Sequence, residues 1–486
     1  MFAALLRRQL LAAALPPRLR LLTPVDHGAG GAGRTSGTGR GRRGLRRGVA
    51  ALRHRNYRLY MFGQILSLVG TWMQSVSEPW LVLQLGGSPL QLGLVLALEF
   101  APSTLLAPLG GVLADRIDKR RALVATQVAA AVQALVLFGL TASGLIQIWH
   151  IYLLALSLGV INAVNMPIRQ AFAAELVPRE DLINAIALNS ATFNAARVIG
   201  PAIAGVTLAL WGTAVNFGIN AVSYGTVLVA LIAMDPIGLY RAHRPDHFPS
   251  VRQSLGEGVS YALRTPSVLW PLVLLFGMST FGMNFQTLLP LFARNTLDIG
   301  AHGYGLLYAA MGAGSLIGSL SLAFSGSRRP LIPLIIGGGV FFVAFEVLLG
   351  LNRAPLLAYG LVVIIGLSSM LMINTINVAV QYGVPDELRG RVMSLYVLVF
   401  AGSGPIGGLF AGAMAQAFGA PTGFIVGAAI AALFLALVAW QVIVRGVVTL
   451  PALQPSRPRV EAGAGSSAAP AGEPTAAQEQ VRARLG

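Results

Sequence analysis

The chain has 486 residues, of which 55% are hydrophobic and 11% are charged, and its mean hydropathy is +0.69. Soluble globular proteins carry about 25% charged residues, so this composition excludes a water-soluble enzyme. There is no cysteine, which excludes disulfides, thiol nucleophiles and cysteine-ligated metal centres. The composition therefore indicates a membrane protein.

Twelve apolar segments follow a polar first stretch, and each is long enough to cross a bilayer as a helix. They lie at residues 59–85, 91–114, 122–142, 148–171, 183–209, 213–235, 268–293, 303–324, 331–350, 355–381, 395–416 and 420–443. This pattern predicts an all-α membrane protein. The expected parts are a disordered Arg- and Gly-rich cytoplasmic tail at 1–57, a six-helix half at 58–235, a polar cytoplasmic central loop at 236–267, a second six-helix half at 268–443 and a disordered cytoplasmic tail at 444–486.

The basic residues predict how these helices are oriented. Of the 35 lysines and arginines, 32 lie in segments on the side of the N-terminus, and only Arg294 and Arg353 lie in the opposite loops. Cytoplasmic loops are enriched in lysine and arginine, so we expect both termini in the cytoplasm of a bacterial inner membrane. The net charge of +17 is then a topology signal, and no nucleic-acid partner is expected. A lipid-binding arm and a start codon placed too far upstream are alternatives for residues 1–57.

The two halves repeat short patterns in the same order. The Asn-x-x-Asn pattern at 162–165 in the fourth segment returns at 374–377 in the tenth, and Gly-Pro at 200–201 in the fifth segment returns at 404–405 in the eleventh. A shift by six helices preserves orientation, so these are parallel repeats. Two parallel six-helix repeats indicate a secondary transporter.

The connection between the second and third segments carries a motif. Gly111 is followed four and five residues later by Asp115 and Arg116, and then by the basic pair Lys119 and Arg120. This resembles a signature of the major facilitator superfamily, in which the acid binds across the two halves and holds the cytoplasmic side closed. The resemblance implies that these residues form a gate, and a solvated basic loop is the alternative.

Three further stretches resemble one branch of that superfamily, which holds enterobactin-type siderophore exporters and macrolide efflux proteins. They are Gly-Thr-Trp-Met-Gln at 70–74, Pro-Ile-Arg-Gln-Ala at 167–171 and Ala-Arg-Val-Ile-Gly-Pro at 196–201. The resemblance covers about residues 51–443 and implies the major facilitator fold. Asp118 stands where the family usually has glycine, and we expect it to tolerate a left-handed turn there.

Polar residues recur at helical spacing in three of the predicted helices. In the family that the chain resembles, the first, fourth, seventh and tenth helices line the cavity, and a polar stripe in lipid must face protein or water. Ordinary hydrogen bonding between helices is the alternative. The candidates are Gln64, Thr71, Gln74 and Glu78 in the first helix, Asn162, Asn165 and Arg169 in the fourth, and Asn374, Asn377 and Gln381 in the tenth.

Three charged residues within the predicted helices are candidates for coupling transport to an ion, namely Glu78, Glu99 and Arg197. An unpaired charge near the bilayer centre costs at least about 2.5–3.5 kcal/mol, so we expect Arg197 to pair with a carboxylate, first of all Glu99. Such a pair is either structural or opens to load a proton. Glu346 lies near the outer end of the ninth helix and is expected at the membrane interface.

The fifth predicted helix contains Gly200, Pro201 and Gly205, which resemble the antiporter motif of drug exporters. Proline bends a helix, and glycine permits close packing of two helices. A purely structural kink is therefore the alternative to a role in antiport.

Together these features predict a proton-coupled exporter of a small amphiphilic molecule, such as a siderophore, a macrolide or another drug-like compound, working by alternating access. An uptake permease and a transport-inactive receptor or scaffold are the alternatives. No enzymatic activity is expected, because Gly-x-Ser-x-Gly, His-Glu-x-x-His and phosphate-loop motifs are absent from the sequence. The expected partners of this monomer are a small-molecule substrate, protons and the lipid bilayer, without cofactor or metal.

Overall fold

The computed structural model describes residues 50–236, 238–240, 251–324 and 331–444, and within these ranges the side chains at 107–116, 251–254, 323–324, 386 and 443–444 are not described. These described residues belong to one unit, which is built of long helices. The predicted tails lie almost wholly outside the described residues. The first helix nevertheless begins at Arg55, slightly before the tail boundary predicted at residue 57.

Six long helices form the first half, and the short connections between them make chain neighbours antiparallel. A 3₁₀ turn, Ala50–Arg53, precedes the first of them. The helices are α1 Arg55–Gln84, α2 Pro89–Arg116, α3 Lys119–Ala142, α4 Ile148–Glu175, α5 Leu182–Trp211 and α6 Thr213–Ala233.

The second half follows a shorter central helix, α7 Val251–Arg264. Its first membrane helix is divided into two parts, and the next five are continuous. The elements are α8 Pro266–Gly277, a π-helical turn Met278–Gly282, α9 Phe285–Asn295, α10 Gly300–Phe324, α11 Leu331–Leu351, α12 Pro355–Tyr382, α13 Asp386–Phe418 and α14 Ala420–Ala439, which ends in a second π-helical turn, Trp440–Val444.

Eleven segments of the described chain are long and apolar enough to cross a membrane, with α8 and α9 together counted as one. The helix α1 is not among them, but its 30 residues span about 45 Å, enough to cross a bilayer. Its polar side chains lower its hydropathy. The all-α membrane fold is therefore confirmed, and the number of long segments is consistent with twelve.

The repeat of the two halves is visible where the fifth helix of each half meets the sixth. Gly212 separates α5 from α6 with φ 80°, and Gly419 separates α13 from α14 with φ 85°. At these φ values, combined with an extended ψ, a side chain is strongly disfavoured, so glycine makes both tight reversals possible.

The sequence analysis expected a polar loop at 236–267, but part of this region is the helix α7. Within it α7 packs against α13, where Glu257 forms an ion pair with Arg391. The Tyr261 hydroxyl donates to the Gly383 carbonyl at 3.1 Å. An added Cβ on Gly258 would lie 2.9 Å from the Arg391 carbonyl oxygen, so α7 approaches α13 closely. The polar composition of this amphipathic helix concealed it.

The seventh predicted segment is interrupted rather than continuous. Between α8 and α9 the backbone passes through a π-helical turn and two residues outside regular helix, Met283 and Asn284. The Asn284 amide donates to the carbonyls of Thr280 at 2.8 Å and Phe281 at 3.1 Å. Interrupted membrane helices persist where side chains satisfy the freed backbone groups, and Asn284 does so here.

We call the end of the bundle where α1 begins the proximal end and the opposite end the distal end. The two halves meet mainly through α2 with α13 and α5 with α10. At the distal end Trp80 of α1 stacks on Tyr304 of α10, with ring centroids 5.3 Å apart. Arg294 of α9 donates to the Leu83 carbonyl. These contacts close the distal end between the halves.

Candidate functional site

The polar face of α1 packs against α6 inside the first half, and one of its side chains also contacts α3. Gln74 accepts a hydrogen bond from Asn220 Nδ2 at 2.7 Å, and its own amide lies 3.4 Å from Gln133 Oε1. Gln64 and Gln74 are each 3% exposed, and the Thr71 hydroxyl donates to a carbonyl of α1. The expected placement of Gln64 and Gln74 along a cavity is therefore wrong for this conformation. Hydrogen bonding between helices explains why Gln74 is buried, because α6 places a second row of polar side chains against α1.

A second buried network was missed by the sequence analysis. Asn216 of α6 donates to the Ser77 hydroxyl of α1 at 2.7 Å and accepts from the Thr207 hydroxyl of α5. Asn216 and Asn220 are fully buried. Their spacing of four in an apolar segment is the signal that could have revealed a polar seam between α1 and α6.

Two carboxyl groups and an amide from the second half share one cavity. Glu78 of α1, Glu99 of α2 and Gln286 of α9 all line it, together with Ser75 and apolar side chains. Glu78 Oε2 lies 3.4 Å from the Gln74 amide, whereas the buried Glu78 Oε1 has no hydrogen-bond partner among the described residues. Two negative charges in one small cavity repel each other, so a proton on either group would stabilise the pair.

Arg197 lies near the middle of α5 and forms no ion pair with Glu99 or Glu78. Among the described residues no carboxylate oxygen lies within 4.0 Å of its guanidinium. Instead the guanidinium carbon lies 5.7 Å from the centre of the Trp72 ring, and Nη1 lies 3.4 Å from Met370 Sδ. The expected pairing is thus wrong for this conformation. Residues on different helices can lie at a similar depth in the membrane while their side chains face different neighbours.

The asparagine motifs of the two halves differ in their surroundings. On α12 the three candidates Asn374, Asn377 and Gln381 are all partly exposed along one face. Asn374 donates to the Ser319 hydroxyl at 3.2 Å, and the Gln381 amide donates to Asn377 at 2.6 Å. This face of α12 is therefore polar and accessible, as a cavity wall requires.

On α4 only part of the motif remains accessible. Asn165 is buried and accepts hydrogen bonds from Thr126 at 3.1 Å and Gln127 at 3.4 Å, both on α3. Asn162 and Arg169 are partly exposed, and neither has a hydrogen bond to another described side chain. Asn165 therefore joins α3 to α4, and Asn162 and Arg169 remain available to a ligand.

The predicted gate is described only in part. Gly111, Asp115 and Arg116 belong to α2 but lie where side chains are not described. Lys119 binds Glu175 of α4 at 2.6 Å. Arg120 donates to the last carbonyls of α6, Leu231 at 2.8 Å and Ile232 at 3.1 Å, where a cation complements the helix dipole. The basic pair therefore fastens helix ends within the first half.

Asp118 does not adopt the left-handed turn that the sequence analysis expected. Its φ is −67° and ψ is 110°, which is extended backbone. The carboxylate accepts a hydrogen bond from the Arg121 amide at 2.9 Å. Asp118 is thus the N-cap of α3, a position for which aspartate is among the preferred residues.

The glycines of α5 permit two close helix contacts. An added Cβ on Gly200 would lie 2.5 Å from Trp72 Cβ of α1. On Gly205 it would lie 2.7 Å from Gly305 Cα of α10, across the interface between the halves. Pro201 lies inside the continuous helix between them. The motif therefore sets the distance of α5 from both α1 and α10.

Glu346 is buried by protein, although it lies near the end of α11, where the sequence analysis expected the membrane interface. It is 0% exposed, and neither carboxyl oxygen has a hydrogen-bond partner among the described residues. A Cβ added to Gly282, in the π-helical turn before α9, would lie 3.2 Å from Glu346 Oε2. The helix interruption thus faces this acid. No three histidine, aspartate or glutamate side chains of the described chain come together as a metal site would require.

Comparison with known proteins places these features in a family. The family model described as transmembrane secretion effector matches residues 47–459. The chain is 27% identical over 369 residues to the staphyloferrin A transporter of Staphylococcus aureus, covering 74% of this chain and 90% of that protein. It is 28% identical over 347 residues to the enterobactin exporter EntS of Shigella boydii, covering 71% of this chain and 81% of the exporter.

Solved transporter structures share the fold at low sequence identity. A POT family transporter bound to a peptide conjugate superposes with a TM-score of 0.66 at 14% identity, covering 81% of this chain and 97% of that one. A bacterial homologue of the lysosomal transporter Spinster, in an inward-facing unoccupied conformation, gives a TM-score of 0.62 at 15% identity and covers 81% of this chain and 96% of its own. These similarities support the fold alone.

Proposed function

Because the chain belongs to the transmembrane secretion effector family of the major facilitator superfamily, we propose that this multi-pass membrane transporter is a proton-coupled exporter. Its cargo is a small amphiphilic molecule, and it works by alternating access of its two halves. Two relatives are named for the transport of staphyloferrin A and the export of enterobactin. Both compounds are siderophores, which supports a siderophore-like cargo.

The observation that carries the proposal is the cavity shared by Glu78, Glu99 and Gln286. The two carboxyl groups belong to the first half and the amide to the second. The charge of the carboxyl groups therefore acts directly on the contact between the halves. Protonation removes the repulsion between the carboxylates and favours the closed distal end. Loss of a proton restores a negative charge on a carboxyl group, and water solvates this charge better once the distal end opens.

The accessible polar side chains of the two halves supply the cargo site. Asn162 and Arg169 of α4, with the polar face of α12, give a ligand donors and acceptors on either side of the interface. Gly111, Asp115 and Arg116 are assigned to the proximal gate, which closes when the distal end opens. Gly200, Pro201 and Gly205 are assigned to the movement of α5 between these states.

Proton coupling is tested in proteoliposomes that hold the purified protein and an imposed pH gradient. We expect the wild-type protein to move enterobactin or staphyloferrin A against the concentration gradient of that compound, while protons cross the membrane in the opposite direction. Glu78→Gln and Glu99→Gln should each lower gradient-driven transport at least tenfold, because a neutral amide cannot bind and release a proton. Glu180→Gln, at an exposed residue in the connection before α5, is the matched control.

The direction of transport follows from the same assay. Cargo movement opposite to the proton flow supports export, and movement with the protons supports an uptake permease. Transport that is unaffected by the pH gradient in wild type would contradict proton coupling. A double variant, Glu78→Gln with Glu99→Gln, that still concentrates cargo would contradict the assignment to this cavity.

The orientation of the helices is a separate prediction. Because the chain has no cysteine, single cysteines introduced at Ser143 and Arg179 report one side of the membrane each. Both residues are exposed, the first in the distal connection after α3 and the second in the proximal connection after α4. With the proximal end in the cytoplasm, an impermeant maleimide added to intact cells should label Ser143→Cys and spare Arg179→Cys. The reverse pattern would invert the topology.

A further inference from the structure

Arg197 is a charged group at mid-membrane depth for which the described residues provide no counter-charge. A guanidinium offers five N–H donors. Arg197 uses one of them towards Met370 Sδ at 3.4 Å, and a thioether is a weak acceptor. The Trp72 ring, 5.7 Å away, stabilises the positive charge without accepting its hydrogen bonds. Most of the donor capacity of Arg197 is therefore unused.

The contacts of Arg197 place its head group between the two halves. Trp72 belongs to α1 of the first half, whereas Met370 belongs to α12 and Tyr308 to α10 of the second. Arg197 is partly exposed, and its helix α5 packs against both α1 and α10. Met370 lies one helical turn from Asn374 on the accessible face of α12. The guanidinium therefore lies beside the polar wall assigned to the cargo site.

A second arginine of the first half, on α4, also has no ion-pair partner among the described residues. Arg169 of α4 is partly exposed and lies within electrostatic reach of Tyr60 and Tyr224, and no described carboxylate pairs with it. The acids of this half that lie at membrane depth, Glu78 and Glu99, share the cavity near Gln286 instead. Arg169 is therefore a second cation of this half without an ion-pair partner among the described residues.

From this arrangement we infer that Arg197 is the binding group for an anionic cargo, a planar organic carboxylate held by two parallel N–H···O bonds. This inference rests on the proposed transport function and specifies the charge of its cargo. The carboxylate replaces Met370 as the acceptor and supplies the counter-charge that the protein lacks. The paired geometry of a guanidinium matches a carboxylate, and Trp72 holds the guanidinium plane in position.

The test uses three ligands of the same planar shape that differ in charge. Isothermal titration of the purified, detergent-solubilised chain compares 2-naphthoate, neutral 2-naphthamide and cationic 2-naphthamidine. Wild type should bind the naphthoate at least tenfold more tightly than the naphthamide, since hydrogen bonds between two charged groups are stronger than those to a neutral acceptor. Arg197→Gln should lose this preference, and Arg197→Lys should retain only part of it. Arg179→Gln, at an exposed surface residue, should bind like wild type.

Each alternative outcome is decisive. Equal affinity of wild type for naphthoate and naphthamide, tighter binding of the naphthamidine, or no saturable naphthoate binding would overturn the inference, and these measurements need no variant that might misfold. A preference for naphthoate that survives in Arg197→Gln would overturn the assignment to Arg197. The titration involves no pH gradient, so anion binding without proton-driven transport would refute the proposed coupling while leaving this site intact.

Discussion

Replacing Gly205 by valine should reduce transport at least tenfold while leaving the protein in the membrane. The added Cβ would lie 2.7 Å from Gly305 Cα and 3.1 Å from the His302 carbonyl oxygen, and both are backbone atoms that cannot turn aside. Overpacking of this kind costs about 1–3 kcal/mol. The cost falls on the state in which the distal ends of α5 and α10 touch, and each ~1.4 kcal/mol of it shifts the equilibrium tenfold towards the distal-open state.

The shift can be measured with a reporter in the Glu78/Glu99 cavity. A single cysteine in place of Ser75, which lines that cavity, should react faster with an impermeant maleimide added from the distal side when Gly205→Val is present. Gly225→Val is the matched control, because a Cβ at that helical glycine would meet no atom within 4 Å. Wild-type transport by Gly205→Val at normal expression would show that this contact does not have to remain close during the cycle.

Replacing Glu346 by methionine should stabilise the protein by about 1–3 kcal/mol, since it removes a buried polar group whose hydrogen-bonding capacity is unmet. Both carboxyl oxygens lack partners within the described structure, and the side chain is 0% exposed. Methionine has a similar length and is flexible enough to fill the space beside Phe342 and Gly282. The melting temperature of the detergent-solubilised protein should therefore rise by several degrees.

Two further variants separate burial from polarity. Glu346→Gln keeps a buried polar group and should not stabilise the protein, and Val340→Met, on the exposed face of the same helix, should leave the melting temperature unchanged. A lower melting temperature for Glu346→Met would mean that the carboxyl group makes a stabilising interaction with water or an ion. Transport by the same variant shows whether the acid facing the interruption between α8 and α9 also takes part in the cycle.

The order of the membrane-spanning segments could be read from the sequence. Each membrane helix is one contiguous apolar stretch, and length and hydropathy are properties of such a stretch alone. The parallel repeat was readable for a similar reason, since Gly-Pro at 200–201 and 404–405 returns at a nearly constant shift. The interruption between α8 and α9 was not readable, because the segment remains apolar throughout while its backbone leaves the helix.

The candidate site was found only in part. The sequence selected Glu78 and Glu99 as acids at membrane depth, and in the tertiary structure both line one cavity with Gln286 of the second half. The same polar stripe that predicted a cavity wall on α1 instead binds α6 through Asn220. Helical periodicity identifies the side chains that share a face, but the neighbouring helix decides whether that face meets water or protein.

The sequence by itself determined the membrane-spanning segments, their order, the two halves and the charges within the membrane, because these depend on local composition. Only the tertiary structure decided which charges have partners. Arg197 and Glu99 lie within the bilayer by sequence, yet Arg197 faces Trp72 and Met370 while Glu99 faces Glu78. Hydropathy gives depth along the membrane normal, whereas lateral position depends on how helices distant in the chain pack against each other.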